Sequence, residues 1–440
     1  MIIVDSALQE RHDEGRPIRV GLIGAGYVGR GIALQIARSI PGMRIAAIYN
    51  RTLSRAKRAY EAADIDAYKT VDTVAAMEAA VARDRYAVTD DPMVLCRANG
   101  IDAIIEVTGT IHFAAAVVLE AIAQGKHVVV QNAELDATIG PLLAQRADEA
   151  GVVFTNGDGD QPGTAMNLFR FVRQIGYDPV MMGNMKGLLD PYRTPHTQQA
   201  FADEVNQDVR KITSYADGTK LSMEQAVMAN ATGFSVSKRG MHGPECDHVH
   251  EALALFDHDE LLDGGRVDYI LGAEPGPGVF VLGYNDHPTQ RRYANVLKMG
   301  EGPFYTFYVP YHLPHLETPL SAARAVLFDD PTIRPQGAPV CEVMTVAKRD
   351  LNAGETLDGI GGFTTYGVID NTEVCRCERV LPMGLSEDAV LRRDIAKDHP
   401  ITFDDVEMPA PRLADRLWHE QQAVFANRHG SPASLSPAVR

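Results

Sequence analysis

A glycine-rich hexapeptide near the start of the chain is the clearest chemical signal in the sequence. It follows the apolar run at 18–23, opens a stretch rich in alanine and isoleucine, and consists of Gly24, Ala25, Gly26, Tyr27, Val28 and Gly29. Between a strand and a helix, this spacing is typical of a dinucleotide-binding loop, because the second glycine lets the backbone approach a pyrophosphate. The pyrophosphate would lie at the helix N-terminus, where unpaired N–H groups favour an anion. A purely structural glycine loop is the alternative.

The residues after the second apolar run indicate which dinucleotide to expect. Asn50 and Arg51 stand where an NAD-preferring site would carry an acid for the ribose 2′-hydroxyl. An acid would repel a 2′-phosphate, whereas the guanidinium of Arg51 can bind it through two hydrogen bonds. We therefore expect NADP, although Arg51 as a merely solvated charge is the alternative. Thr108, Gly109 and Asn132 follow later apolar runs and are predicted to complete the cofactor site.

Acidic residues follow the next apolar runs. Glu134 and Asp136 come after the run at 127–132, where a parallel sheet would bind ligands at the carboxyl ends of its strands, and both are predicted to be catalytic. The alternative for Asp136 is an N-cap of a helix that begins near Thr138. Asp160 lies in a turn rich in Gly and Asp and is predicted to bind Mg²⁺ or Mn²⁺, because hard cations prefer carboxylate oxygens. Capping of the following helix is the alternative there.

Basic residues supply the other half of the predicted chemistry. Lys186 ends an apolar strand, and Lys238, Arg239 and His242 lie in a loop flanked by glycine. In a chain with a net charge of -16, such a basic loop suits a phosphate or a carboxylate. We therefore predict catalytic roles for Lys186 and His242, and substrate contacts for Lys238 and Arg239. Each of these residues alone is more often a solvated charge.

The pattern of apolar runs predicts the elements that position these residues. In the first third of the chain, runs rich in Val and Ile alternate with alanine-rich helical stretches, which is typical of a parallel sheet with helical crossovers. We predict an α/β Rossmann-type doubly wound domain over 1–155 and an α+β domain over 156–340. A small β-rich domain is predicted over 341–440, in which 347–357 and 391–401 weakly echo each other.

Length and composition limit the class of protein. The 440 residues exceed one ordinary domain, and 45% hydrophobic with 23% charged residues excludes wholesale disorder. The acidic balance argues against nucleic acid or an anionic membrane surface as a partner. No apolar run approaches the roughly 18 residues that a membrane helix needs. Five cysteines without a disulfide-framework spacing, and a start unlike a secretory signal, predict a cytoplasmic protein.

Taken together, the motifs resemble a known family, the homoserine-dehydrogenase-like oxidoreductases with a C-terminal SAF domain. Its best-known members are the second type of 1-deoxy-D-xylulose 5-phosphate reductoisomerase. The similarity covers nearly the whole chain. The shared stretches are GLIGAG at 21–26, AVTDD at 87–91, Glu134-x-Asp136-x-Thr138-Ile139-Gly140-Pro141, Gly159-Asp160-x-Pro162, Glu224 with Ala229-Asn230-Ala231-Thr232-Gly233, Gly240-Met241-His242-Gly243-Pro244, Gly302-Pro303 with Thr306-Phe307, and Pro310-Tyr311-His312-Leu313.

This resemblance implies NADPH, a divalent cation, a homodimer and a substrate contact by Asn230. It also implies rearrangement of a phosphorylated ketose followed by hydride reduction, a step of isoprenoid precursor synthesis. Two departures are visible: homoserine dehydrogenases carry a Lys where this chain has Glu134, and the stretch 184–190 is less basic than in the reductoisomerases. Two further hypotheses stay open, an NADP-dependent dehydrogenase of a small polyol or sugar acid, and a dinucleotide-sensing module without turnover.

Overall fold

The structure is a computed structural model that describes residues 2–426. The chain forms two compact units. The first unit contains the residues up to Asp160 together with Leu313–Arg334, and the second contains Gln161–His312 together with the residues from Pro335 on. Among the described helices, none is long and apolar enough to cross a bilayer.

This grouping differs from the three predicted domains in two ways. The segment 313–334, which was assigned to the predicted second domain, belongs to the first unit. The residues after 340, predicted as a separate domain, are grouped with the second unit. The division into three domains therefore stays a prediction.

A parallel sheet of seven strands forms the centre of the first unit. Its strands are β1 (Ile18–Ile23), β2 (Met43–Tyr49), β3 (Tyr68–Thr70), β4 (Tyr86–Thr89), β5 (Ala103–Glu106), β6 (His127–Val130) and β7 (Phe154–Asn156). They lie in the order β3-β4-β2-β1-β5-β6-β7, and every neighbouring pair is parallel. The central strands are buried almost throughout, which is why they read as continuous apolar runs. The predicted Rossmann-type doubly wound fold is confirmed.

Eight helices among the described residues accompany this sheet. They are α1 (Ile2–Asp13), α2 (Tyr27–Ser39), α3 (Leu53–Glu61), α4 (Val74–Val81), α5 (Pro92–Arg97), α6 (Ile111–Ala123), α7 (Ala133–Ala150) and, returning from later in the chain, α14 (Pro314–Phe328). Helix α14 packs against α2. At this contact Gly31 leaves room for His315, since a Cβ on Gly31 would lie 2.7 Å from the imidazole.

A mixed sheet of four strands forms the second unit's first part. Its strands are β8 (Asp178–Lys186), β9 (Arg266–Leu271), β10 (Val279–Tyr284) and β11 (Phe304–Val309). Their order is β11-β10-β8-β9, with β8 and β9 parallel and the other pairs antiparallel. The helices around it are α8 (Gln161–Gln174), α9 (Pro195–Glu204), α10 (Val209–Ala216), α11 (Thr219–Thr232), α12 (His258–Leu262), α13 (Pro288–Val296) and the 3₁₀ turn Val249–Ala254. Helix α11 is buried along nearly its whole length.

Short β elements make up the second unit's C-terminal part. The longer antiparallel pair is β12 (Cys341–Ala347) with β13 (Thr365–Asn371), and the shorter is β14 (Val390–Leu391) with β15 (Val406–Glu407). Two helices, α15 (Thr372–Glu378) and α16 (Leu413–Phe425), and the 3₁₀ turns Met383–Leu385 and Phe403–Asp405 complete it. Strands β12 and β13 pack against α11, which explains why that helix has no polar face.

The two echoing segments, 347–357 and 391–401, pair with each other. Leu351 and Ile395, which occupy equivalent places in the two copies, exchange backbone hydrogen bonds of 2.9 Å in both directions. Further backbone hydrogen bonds join the two segments on either side of this pair. Each bond donated by the first segment has an equivalent bond donated by the second. The echo seen in the sequence is therefore an approximate two-fold arrangement, although the identity of this region as a SAF domain stays a prediction.

The two aspartates that occupy equivalent places in these segments also form reciprocal hydrogen bonds. Oδ1 of Asp350 accepts from the backbone N–H of Lys397 at 2.8 Å, and Oδ1 of Asp394 accepts from the backbone N–H of Ala353 at 2.8 Å. Each aspartate thus stabilises the turn of the other copy rather than its own.

Candidate active site

The glycine-rich loop joins β1 to α2, as predicted. Gly24 has a φ of +109°, a conformation that favours glycine, and a Cβ on Gly29 would lie 2.1 Å from the carbonyl oxygen of Gly24. The N-cap of α2 is Gly26, which places no side chain on the first N–H groups of the helix. A Cβ on Gly26 would meet no protein atom within 4 Å. The loop therefore leaves both the space and the free donors that a pyrophosphate requires.

The side chain of Asn50 stabilises this loop through hydrogen bonds. Its Oδ1 accepts from the backbone N–H of Ala25 at 3.2 Å, and its Nδ2 donates to the carbonyl oxygen of Thr52 at 3.0 Å. The neighbouring Arg51 is exposed and makes no hydrogen bond or ion pair within residues 2–426. Its guanidinium is therefore available to a ligand at the N-terminus of α3.

A buried carboxylate organises the loops after β5 and β6. Glu106 is fully buried and accepts from the backbone N–H of Thr108 at 2.7 Å, from the Thr108 hydroxyl, and from Nδ2 of Asn132 at 3.0 Å. Asn132 also donates to the carbonyl oxygen of Thr110 at 3.0 Å, and Gly109 between them has a φ of +67°. Asn132 is thus fully occupied inside the protein. Glu106 shapes these loops and was not singled out from the sequence.

The start of α7 differs from the predicted one. The N-cap is Asn132, whose Oδ1 accepts from the backbone N–H of Leu135 at 3.1 Å, so Asp136 lies inside the helix and its interpretation as an N-cap is wrong. Asp136 is buried and accepts from Nδ2 of Asn156 at 3.1 Å. Burial raises the pKa of this carboxyl to about 7. Gly140 makes room for it, since a Cβ there would lie 1.9 Å from Oδ1. The predicted catalytic role of Asp136 stays a prediction.

A second carboxyl cluster follows β7. The backbone N–H of Asp158 donates to Oγ of Ser321 at 2.7 Å, and its carbonyl oxygen accepts from Nε2 of Gln131 and from the Thr318 hydroxyl, both at 3.2 Å. Glu317, in the first turn of α14, lies close enough to Asp158 for the two carboxyl groups to interact electrostatically. Burial, followed by the charge of Asp158, raises the pKa of Glu317 to about 7. No sequence pattern had indicated this pair.

The predicted metal site gains no support from its surroundings. Asp160 is buried immediately before α8, and Glu134 is half-buried in the first turn of α7, where an acid is favoured by the helix dipole. Within residues 2–426, no group of three or more His, Cys, Asp or Glu side chains could hold a metal ion. The metal-binding role of Asp160 therefore stays a prediction.

The second unit contains a compact cluster around Lys186, which was predicted to be catalytic. Strand β8 places Asn184 and Lys186 two residues apart, and therefore on the same face. Nζ of Lys186 donates to Oε2 of Glu224 at 3.0 Å and to Oε1 of Gln161. Nδ2 of Asn184 donates to the same two acceptors, at 2.7 Å and 3.0 Å. We call these four residues the Lys186 cluster.

Burial makes the Lys186 cluster chemically distinctive. The side chains of Lys186 and Glu224 are 19% and 4% exposed, so the ion pair lies largely out of water, where charge interactions are stronger. Oδ1 of Asn184 is buried and has no hydrogen-bond partner in the described part of the chain. A buried acceptor left without a donor is costly unless a ligand or water supplies one. The cluster can therefore accept a hydroxyl hydrogen beside a cationic donor.

Only one of these four residues was predicted as a site residue. Lys186 was found because it ends an apolar strand. Glu224 appeared in a shared motif without a role, and its signal is an acid within a helix that is buried along nearly its whole length. Gln161 and Asn184 gave no signal, because an amide at the end of a helix or strand is common.

The loop of the predicted catalytic residue His242 is held by a residue that the sequence did not reveal. Asp268 of β9 is buried, and its carboxylate accepts from the backbone N–H groups of His242 at 2.8 Å, Gly243 at 2.9 Å and Tyr269 at 2.8 Å. Burial raises the pKa of Asp268, and these three donors oppose that effect. The His242 ring is exposed and makes no hydrogen bond within residues 2–426.

The remaining predicted substrate residues differ in their availability. Lys238 is exposed and makes no hydrogen bond through its ammonium group in the described chain. Arg239 donates to Asp370 at 2.8 Å and to Glu378 at 2.7 Å, so two carboxylates of its own unit already hold its guanidinium.

Asn230 also serves the protein itself. It is buried on α11, and its Oδ1 accepts from the backbone N–H groups of Val340 at 2.7 Å and Cys341 at 3.1 Å. These bonds fasten the start of β12 to the helix. The substrate contact of Asn230 therefore stays a prediction.

Two protein families match this chain in adjoining segments. Residues 24–155 match the NAD-binding domain of homoserine dehydrogenase, and residues 159–318 match the catalytic domain of oxidoreductase DRL. The protein is an NAD(P)-dependent oxidoreductase. The hypothesis of a sensing module without turnover is wrong, because the second match is to a catalytic domain. No curated protein matches the chain.

Solved dehydrogenase structures share a limited likeness with it. The myo-inositol dehydrogenase of Lactobacillus casei, in complex with NAD(H) and myo-inositol, gives a TM-score of 0.42 at 13% identity over 73% of this chain and 88% of that one. The scyllo-inositol dehydrogenase of the same organism gives 0.41 at 14% identity, over 72% and 90%. A probable dehydrogenase from Thermotoga maritima gives 0.40 at 13%, over 72% and 90%. At these scores the likeness carries no argument about substrate.

Proposed function

We propose that this oxidoreductase is an NADP-dependent dehydrogenase that interconverts a small polyol or sugar acid and the corresponding carbonyl compound. The observation that carries the proposal is the Lys186 cluster, in which a buried ammonium–carboxylate pair lies beside an unpartnered buried acceptor. A hydroxyl next to the reacting carbon would supply the hydrogen that Oδ1 of Asn184 lacks. A polyhydroxylated substrate provides such a hydroxyl.

The chemistry follows from the donors of the Lys186 cluster. When bound, a nicotinamide dinucleotide would supply the hydride for reduction of a carbonyl carbon, or accept one in the reverse direction. In reduction, Nζ–H of Lys186 donates to the carbonyl oxygen and transfers a proton to it as negative charge develops there. One hydride and one proton thus convert the carbonyl to a hydroxyl. Glu224 and Gln161 accept hydrogen bonds from Nζ of Lys186 and keep it in place.

The choice of NADP is supported by the N-terminus of α3. The stretch 50–55 contains two guanidinium groups, Arg51 and Arg55, and two hydroxyls, Thr52 and Ser54, but no acid. All four side chains are exposed, and the N-cap Thr52 makes no capping hydrogen bond. A 2′-phosphate would gain both the helix N-terminus and the guanidinium groups.

An unphosphorylated substrate is supported by the cations that remain. Of the four basic residues predicted from the sequence, Lys186 is paired with Glu224 and Arg239 with Asp370 and Glu378. Lys238 and His242 alone among these four have no partner in the described chain. The reductoisomerase reaction needs a phosphate-binding site and a divalent cation. The described side chains support these two requirements less well than they support a dehydrogenase, which needs neither. The homodimer stays a prediction.

A comparison of two substrate classes tests the proposal. NADP⁺ reduction is followed with a panel of polyols and sugar acids, and NADPH oxidation with deoxyxylulose phosphate, each with and without Mg²⁺ or Mn²⁺ and with EDTA. We expect turnover in the panel that EDTA leaves unchanged. Metal-dependent oxidation of NADPH by deoxyxylulose phosphate, with no turnover in the panel, would replace the proposal by the reductoisomerase reaction.

A further inference from the structure

An imidazole from late in the chain lies against the helix that follows the glycine-rich loop. His315 is the second residue of α14, and Tyr27 is the first residue of α2. The centroids of their two rings lie 6.0 Å apart, and the rings meet edge to face with 81° between their planes. A segment that returns to the first unit after the second unit has formed therefore brings a polar ring to the predicted cofactor loop.

A contact with Gly31 holds this imidazole close to the N-terminus of α2. A Cβ on Gly31 would lie 2.7 Å from Cβ, Cγ and Cδ2 of His315, so the ring packs directly on the helix backbone. Gly31 follows Tyr27 by four residues and therefore lies on the same face of α2, about one turn or 5.4 Å further along the axis. Because His315 contacts both residues, its ring lies within about one turn of the unpartnered N–H groups after Gly26.

Helix α14 also begins at the edge of the sheet where a dinucleotide would bind. In a doubly wound sheet, ligands bind outside the carboxyl ends of the strands. The hydroxyl of Thr318, three residues after His315, accepts from Nε2 of Gln131, which directly follows β6. It donates to the carbonyl oxygen of Asp158, which follows β7, at 3.2 Å. The first turns of α14, and His315 with them, therefore lie at the carboxyl ends of the strands.

The imidazole of His315 has a hydrogen to donate. One ring nitrogen of a histidine carries a hydrogen in either neutral tautomer, and both do in the cation. His315 is half-buried, and its ring makes no hydrogen bond or ion pair within residues 2–426. A donor that the protein itself does not use, beside the N-terminus of a helix, suits an anion, because the unpartnered N–H groups of the helix favour the same charge.

We propose that His315 is a further dinucleotide-binding residue, which donates a hydrogen bond from its imidazole to the diphosphate of the cofactor. The diphosphate is the part of a dinucleotide that is expected at the N-terminus of α2. The backbone of the glycine-rich loop would bind it at the end of the helix, and His315 from the flank of the same helix. This inference rests on a nicotinamide dinucleotide as the cofactor, and neither on the proposed substrate nor on a preference for NADP.

The contact with the diphosphate predicts which ligands depend on His315. NADPH, NADH and ADP-ribose all contain the diphosphate, whereas ADP-ribose lacks the nicotinamide and only NADPH carries the 2′-phosphate. Loss of one hydrogen bond to a charged group should raise a Kd by about tenfold or more. Because the lost contact is common to the three ligands, the factor should be the same for each of them.

Titration calorimetry with these three ligands tests the proposal without any substrate. His315→Phe keeps an aromatic ring against Tyr27 and Gly31 but cannot donate, so all three Kd values should rise by the same factor of about ten or more. His315→Gln retains a side-chain N–H and should keep more of the affinity than His315→Phe does. His12→Phe, at an exposed histidine on α1 of the same unit, is the matched control and should leave all three Kd values unchanged.

A second variant displaces the imidazole without removing it. Gly31→Ala places a methyl group 2.7 Å from the His315 ring, which must move away, so binding of the same three ligands should weaken even if His315→Phe does not fold. Unchanged Kd values in either folded variant would overturn the proposal. A rise confined to NADPH and NADH would also overturn it, because His315 would then contact the nicotinamide half. A failed polyol assay would contradict the proposed function alone.

Discussion

At the residue scale, Lys186 owes its proposed role to its setting, and a substitution that keeps its length tests this. Lys186→Met retains an unbranched side chain but cannot donate a proton, so kcat should fall by about 10²–10⁴ while dinucleotide affinity is kept. Steady-state kinetics and a separate binding titration measure the two effects. Lys298→Met, at an exposed lysine of the same unit, is the matched control and should retain wild-type kcat. Full activity of Lys186→Met would remove the lysine from the mechanism.

Arg51 decides the cofactor preference in our interpretation. NADPH should bind at least about tenfold more tightly than NADH, a difference of about 1.4 kcal/mol. Arg51→Asp should reverse this preference, because a carboxylate repels the 2′-phosphate and can accept from a 2′-hydroxyl. Fluorescence titration with both cofactors gives the ratio. Arg58→Asp, at an exposed arginine in the last turn of α3, makes the same charge change and should leave the ratio as it is. An unchanged ratio in Arg51→Asp would show that Arg51 does not contact the phosphate.

Asp136 predicts a pH dependence of stability whose sign follows from burial. Its pKa rises from 3.8 to about 7 in the folded protein, so between these values the folded state holds a proton that the unfolded state has lost. Its contribution to stability is therefore complete below about pH 4 and is lost as the pH rises to about 7, at most about 4 kcal/mol at 1.36 kcal/mol per unit. We therefore compare the unfolding free energies of Asp136→Asn and wild type by chemical denaturation at about pH 5 and about pH 8. The difference between variant and wild type should shift in favour of the variant at the higher pH. Glu149→Gln on the same helix is the control, since the pKa of Glu149 is lowered and its substitution should not give this gain.

At the element scale, strand β9 fixes the neighbouring loop through one side chain. Asp268→Asn replaces an acceptor of three N–H bonds by a group that also carries donors, so the unfolding free energy should fall by about 1–3 kcal/mol. Hydrogen exchange should quicken at the backbone amides of His242 and Gly243. Asp263→Asn, at an exposed aspartate just before the strand, is the matched control. Unchanged exchange at both amides would mean that the loop is held by other contacts.

The helices, strands and loops could be predicted from the sequence where one physical requirement determines the residue type. Strands buried on both faces require continuous apolar runs, and the dinucleotide loop requires glycines at fixed places. The start of α7 was misplaced because Asn132 and Asp136 are both good capping residues, and burial decides between them. The contact of Asp158 with Ser321 could not be predicted, because α14 returns from far along the chain and sequence spacing does not record such a contact.

The Lys186 cluster shows the same limit on the prediction of function. A lysine at the end of a strand was a reasonable candidate, but its acid comes from α11 and its amides from α8 and β8 itself. Which carboxylate pairs with a given lysine depends on how helices pack on the sheet. That packing is a property of the folded unit and leaves no local pattern of residues.

At the scale of the whole molecule, the only tryptophan reports on how the second unit unfolds. Trp418 lies on α16 and packs against Phe403, far along the chain from the four-stranded sheet. If the unit unfolds cooperatively, Leu282→Ala in the core of β10 should lower the midpoint of the Trp418 fluorescence transition, at a cost of about 2–5 kcal/mol. Leu391→Ala, in the core beside α16, is the control and must lower it in any case. If Leu391→Ala lowers the midpoint of the Trp418 transition and Leu282→Ala does not, the result would support the separate third domain predicted from the sequence.

The exchanged pairing of 347–357 with 391–401 has a consequence for the history of this region. Contacts of this reciprocal kind are typical of a symmetric dimer, in which the same surface of both subunits forms the interface. Here both copies belong to one chain. Duplication and fusion of the gene for a short, self-associating peptide would produce such an arrangement within a single chain. Asp350 and Asp394, each bonded to the opposite half, are the residues that show the equivalence of the two copies most directly.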